Sequence, residues 1–126
     1  MTSRPVLEPT TEHPITITPT PARVVVRVHG EIVADTHAAL GLRESNYPVV
    51  QYVPFDDVVQ ASLTRTDTST YCPYKGEASY YSVTTAAGDT VEDVIWTYDD
   101  PYPAVGAIAG HVAFYPDKAD ISVEPD

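Results

Sequence analysis

The residues best suited to chemistry gather in Thr70-Tyr71-Cys72-Pro73-Tyr74-Lys75-Gly76 and the run that follows, Ala78 to Val83. This stretch holds the chain's one cysteine, one of its seven Lys and Arg residues, and four of its nine tyrosines: Tyr71, Tyr74, Tyr80 and Tyr81. A thiol acts as nucleophile or redox centre only as the thiolate, which needs a cation or base beside it. Lys75, three residues on, supplies that charge if the turn folds back, so Cys72 and Lys75 form a candidate catalytic pair. No histidine is local; His13, His29, His37 and His111 reach the thiol only through the fold. A buried, inert thiol is the commoner fate of a lone cysteine.

Lys75 has a second reading, as the partner of an anion or carbonyl in a concave site. Around it stands an aromatic set: Tyr52, Tyr80, Tyr81, Trp96, Tyr98 and Tyr102. Trp96 and Tyr98 share a strand face by their spacing of two, together with Val94. If Tyr80 lies across from them, the rings line a pocket for a flat ring or a cation. Tyr52, Lys75, Tyr80, Trp96 and Tyr98 are therefore the candidate ligand-binding residues. The plainer alternative is a core with hydroxyl tips at the surface. Acidic pairs at Asp56-Asp57, Glu92-Asp93 and Asp99-Asp100 lack any EF-hand spacing. His13 and His111 belong to no local ligand pattern such as His-x-His. No metal site and no cofactor follow from these residues.

Strands must position these groups. Ile15-Thr16-Ile17-Thr18 alternates apolar and polar, and Pro19 and Pro21 end it. Arg23 to His29 is a valine-rich strand; Gly30-Glu31 turns it, and Ile32 to Thr36 returns as a hairpin. Thr36 caps a short helical stretch over His37 to Leu42, which Gly41 keeps short. Val49 to Val53 is a strand, and Pro54 opens a small helix carrying Asp56 and Asp57. Val58 to Leu63 is ambiguous, with a strand slightly preferred. Thr64 to Thr70, charged or hydroxyl-bearing throughout, reads as a connecting loop. Tyr74 to Val83 is a strand in which Gly76 allows a bulge or a close backbone approach. Val91 to Tyr98 pairs back, His111 to Tyr115 is the last firm strand, and Ile121 to Val123 adds an edge. The sum is a mainly β, small single domain of about eight short antiparallel strands with one or two short helical turns. Residues 1–14, polar and proline-rich, read as a flexible N-terminal arm, and 15–126 as one β-rich domain.

The bulk numbers narrow the partners. At 126 residues the chain fits one domain, and 43% apolar residues suit a folded globule. Seven basic against 18 acidic residues give a net charge of −11, which repels phosphate backbones and argues against nucleic-acid binding. One cysteine rules out an internal disulfide and a Cys-rich zinc knuckle. No apolar run approaches the roughly 20 residues of a membrane helix. The first residues lack a signal peptide's apolar core, so a cytoplasmic location is the default expectation. No Gly-x-Gly-x-x-Gly and no P-loop pattern occurs.

Several segments together resemble a known family. They are His13-Pro14-Ile15, Arg23-Val24, Val33 to Thr36, Tyr52-Val53-Pro54 with Asp57-Val58, Thr70 to Gly76, Ala78 to Tyr81, Trp96-Thr97-Tyr98 with Pro101, and Ile108 to Pro116. In that order they resemble domain of unknown function family 427, over roughly residues 13 to 118. The resemblance implies a small fold similar to the β-tent folds of methionine sulfoxide reductase B and of the drug-binding domain of cereblon. Those relatives commonly carry a Cys-ligated zinc, which a chain with one cysteine should lack. The family is sometimes labelled nucleotidyltransferase-like, but no motif here supports that label. It often has an Arg after the proline of the Tyr-x-Pro element, where this chain has Phe55.

The expectation is a small-molecule-binding module with an aromatic- and lysine-lined pocket. One alternative is an enzyme using Cys72 as nucleophile or redox centre. Another is a structural or self-associating protein, a homo-oligomer joined through an edge strand.

Overall fold

Proline and β-branched residues dominate the chain between short turns, and the backbone follows them. The computed structural model describes residues 5–124. Within them ten strands form: β1 (Ile15–Pro19), β2 (Arg23–Val28), β3 (Glu31–Thr36), β4 (Leu40–Glu44), β5 (Val50–Pro54), β6 (Leu63–Cys72), β7 (Gly76–Thr84), β8 (Thr90–Tyr98), β9 (His111–Phe114) and β10 (Asp120–Glu124). They make two antiparallel sheets, one of seven strands in the order β1-β4-β5-β9-β8-β7-β6 and one of three in the order β10-β2-β3. Short 3-10 turns at Phe55–Asp57, Gln60–Ser62 and Pro103–Ile108 are the only helical pieces among the described residues. None is long and apolar enough to cross a membrane.

The valine run explains the smaller sheet. Val24, Val26 and Val28 lie on one face of β2, fully buried with Val33 of β3 against Val53, Val83, Val94, Ile95, Val112 and Phe114 of the larger sheet. This alternation of period two makes one apolar layer between the sheets. The β2–β3 hairpin turns at His29-Gly30, one residue earlier than the sequence suggests. Both residues have positive φ, 50° and 79°, as a type I′ turn requires.

The opposite face of the larger sheet carries a second cluster: Leu42, Tyr52, Ala78, Tyr80, Tyr98, Val105, Ile108 and Ala113. Neighbouring residues divide between the two faces, so Val53 joins the first cluster and Tyr52 the second. On β8 this division is interrupted. Asp93 adopts φ 50°, and the register with β7 shifts between Tyr81 and Val83. Val94 therefore packs between the sheets with Ile95, not beside Trp96 and Tyr98 as simple alternation suggests.

Three local expectations are corrected. The helix expected over His37 to Leu42 is absent; Leu40–Glu44 is strand β4, paired with both β1 and β5. The Thr36 hydroxyl does accept the Ala38 N–H at 2.9 Å, but two strand neighbours outweigh this local cap. The loop expected over Thr64 to Thr70 is the edge strand β6. Its threonines are β-branched and favour extended backbone. Thr66 and Thr68 donate to the Asp93 carboxylate, each at 2.7 Å. The strand slightly preferred over Val58 to Leu63 is replaced by the Gln60–Ser62 turn, and strand begins only at Leu63.

Of the proposed N-terminal arm, residues 1–4 lie outside the described residues. Residues 5–14 form no strand, yet the Leu7 N–H donates to the Pro73 carbonyl at 2.9 Å and the Tyr71 hydroxyl to the Pro5 carbonyl at 2.7 Å.

Candidate functional site

The seven-stranded sheet curls, and one contact shows how far. Glu44 ends β4, and Lys75 sits in the turn between β6 and β7. Four strand spacings separate β4 from β7 in the sheet order, about 19 Å if the sheet were flat. Yet the Lys75 ammonium donates directly to Glu44 Oε1. The concave face thus closes on itself, with the ion pair as its clasp.

The turn holding Lys75 is built by Gly76. Its φ of 116° is one that side-chain-bearing residues rarely adopt, and a Cβ there would meet the Asp100 carbonyl oxygen at 3.4 Å. The Lys75 N–H donates to the Cys72 carbonyl, and the Lys75 carbonyl accepts the Tyr102 N–H at 3.0 Å. The backbone of Lys75 is thereby fixed on both sides.

A cleft of about 330 Å³ opens in the concave face. Tyr52 of β5, Lys75, Tyr80 of β7, and Trp96 and Tyr98 of β8 all line it. These are the five ligand-binding candidates from the sequence, drawn together from three strands and a turn. Trp96 stacks at a tilt on Tyr115, with centroids 4.5 Å apart, and meets Tyr52 edge-on at 6.4 Å. The Trp96 indole N–H donates to the Tyr52 hydroxyl at 3.3 Å. Thr70, Tyr80 and Tyr115 form a hydroxyl chain with links of 2.9 and 3.1 Å.

Cys72 does not line the cleft. It packs half-buried behind it against the second cluster, with its Sγ 3.8 Å from the Lys75 ammonium. His13 Nε2 stands 2.7 Å from Glu44 Oε2, and its ring stacks on Tyr74 at 4.2 Å. Glu44 thus bridges Lys75 and His13. Sequence reasoning missed Glu44, because it falls in what reads as a loop and its partner comes from the far side of the sheet. Tyr115 was also missed as a wall residue. Its place just beyond β9, next to β8, is visible only in the strand order.

Burial shapes the protonation states. It pushes Glu44's carboxyl up, but hydrogen bonds from Lys75 and His13 outweigh it, and Glu44 ionises below its ordinary range. Burial raises Tyr52 to about 12 despite the indole hydrogen bond, and it raises Tyr98 and Tyr115 as well. All three phenols stay protonated at neutral pH.

The other candidates go elsewhere. Asp99 pairs with Arg65 at 2.7 Å and accepts from Ser79. Asp57 accepts from Thr36, and His111 Nδ1 lies 2.9 Å from the Ala109 carbonyl. Phe55 packs on the Tyr81 ring at 5.7 Å, away from the cleft. Among the described residues, no three His, Cys, Asp or Glu side chains converge as metal ligands.

Two packed antiparallel sheets, the larger curled around an aromatic cleft, define a small β domain of one recognisable class. The chain belongs to the DUF427 family, a domain of unknown function whose family model matches residues 16–125. No curated protein matches the chain.

Proposed function

We propose that the domain binds a small, flat ring compound in the cleft between Trp96, Tyr115, Tyr80 and Lys75. One observation carries the reading: Tyr52, Lys75, Tyr80, Trp96 and Tyr98, remote from one another in sequence, line one concavity. Its volume of about 330 Å³ falls at the small end of the range of small-molecule sites, which suits one or two rings. Aromatic walls with a few polar groups are the usual make-up of such sites. The net charge of the whole chain is −11, but within the cleft Lys75 neutralises Glu44, so neutral ligands meet no repulsion. A reaction at Cys72 has less support, since its thiol stands behind the lysine and off the cleft wall.

Trp96 is the only tryptophan, so its fluorescence reports on the cleft alone. Titrating nucleobases, nucleosides and cyclic amides should give a saturable change in Trp96 emission for at least one of these classes. Emission unchanged across the whole panel, with no thermal stabilisation by any member, would count against the reading.

A further inference from the structure

The polarity of the cleft runs opposite to that of an ordinary surface concavity. Its buried wall carries polar groups: the Lys75 ammonium and the hydroxyl-bearing Tyr80 and Tyr98. Its mouth is apolar. Tyr47, Pro48 and Val49, consecutive in the turn from β4 to β5, are all exposed, and the first two line the cleft. Tyr47 is 59% exposed, more than any other large apolar side chain among the described residues. Its side chain meets no hydrogen-bonding or aromatic partner among them. Apolar residues scattered singly over a surface are ordinary, but a run of them at the mouth of an aromatic cleft is a surface a ligand can cover.

The turn braces the backbone that carries this ring. The Tyr47 N–H donates to the Glu44 carbonyl at 2.9 Å, and the Ser45 N–H to the Pro14 carbonyl at 2.8 Å. Ser45 has φ 51°, a left-handed conformation that residues other than glycine seldom adopt. Pro48 restricts the backbone of Tyr47 in turn. Glu44, where the turn begins, is the residue that Lys75 grips, so the clasp and the Tyr47 turn are one piece of chain.

We infer that Tyr47 is an outer stacking residue of the cleft, and that the ligand is a ring with a polar edge that carries a second, apolar ring. The polar edge points inward to Lys75 and the buried tyrosines, and the second ring leaves by the mouth and lies on Tyr47 and Pro48. The inference rests on the cleft being a binding site. Its physical ground is that covering the exposed ring removes apolar surface from water, and two rings in contact gain more than that area alone.

Three probes isolate the outer contact, with dissociation constants measured by calorimetry. 2-Pyridone is a single ring with a polar edge; 4-benzyl- and 5-benzyl-2-pyridone keep that edge and add a second ring on the far side. The tighter benzyl compound should bind about tenfold more tightly than 2-pyridone. Tyr47→Ser should abolish this gain and leave 2-pyridone binding unchanged. Tyr47→Phe should keep the gain, because the ring and not the hydroxyl makes the contact. Neither substitution should shift the melting temperature much, since the side chain has no polar or aromatic partner to lose. No gain from either benzyl compound, or a gain that survives Tyr47→Ser, overturns the inference and leaves the cleft a binding site. A dimer in light scattering that Tyr47→Ser makes monomeric would assign the mouth to a second copy of the chain, and it overturns the inference as well. Failure of all three probes to bind also overturns it; the reading beneath it falls too only when Trp96 stays silent across the wider panel.

Discussion

Replacing Lys75 with methionine should lower the unfolding free energy by about 2–3 kcal/mol, because it leaves Glu44 as a largely buried charge with only His13 beside it. The Lys75→Met/Glu44→Gln pair should recover more than half of that loss, since no uncompensated charge remains. Urea denaturation of the four corners of this cycle measures both numbers. The pH dependence has a definite sign. Glu44 ionises more readily in the folded chain than in the unfolded one, where the value is near 4.5. Its contribution is complete above that value and is lost as pH falls through the lower folded one. In the wild type, stability should therefore decline below about pH 4.5, and the deficit of Lys75→Met should shrink over the same range. A deficit that stays constant from pH 7 to pH 3 would mean that the clasp is not electrostatic.

Gly76→Ala is the second large effect. Any side chain at φ 116° is strained, and the new Cβ would lie against the Asp100 carbonyl. A loss of about 2 kcal/mol is expected from the backbone alone. The turn would also shift, and with it Lys75, so any ring ligand should bind more weakly. Gly88, with φ 95° and open space around its Cβ position, is the control. Gly88→Ala bears a similar backbone strain in the β7–β8 turn, and it should leave ligand affinity unchanged. Equal losses of affinity in both variants would show that the Gly76 turn has no special tie to the cleft.

These residues also show what a sequence makes legible. The valines of β2 and the tyrosines and tryptophan of β7 and β8 announce strands, because their side chains suit a pleated, half-buried surface. The shared face of Trp96 and Tyr98 was readable for the same reason, since a spacing of two places them together. Gly76 was readable as a close approach of backbones, and the carbonyl of Asp100 is the backbone it approaches. β6 was not legible. Its run of Thr, Arg, Asp and Ser carries no apolar alternation, because it is an edge strand exposed along most of its length. β4 was hidden by a local cap at Thr36 that tertiary pairing overrides. The bulge at Asp93 left no mark either, so Val94 fell on the wrong face. Glu44 was beyond reach because its role depends on the curl of the sheet. That curl comes from non-local strand order, which no window of sequence contains.

We propose the aromatic concavity beside Lys75 as the place where this domain takes a ligand. The most direct measurement is the indole N–H resonance of Trp96, the single tryptophan, followed by nuclear magnetic resonance as a ring ligand is added. A saturable shift of that resonance, with the amides of Lys75 and Tyr98 moving on the same binding curve, is the predicted result. A ligand that binds while the indole resonance stays still, with its shifts gathered on another face, would contradict the claim.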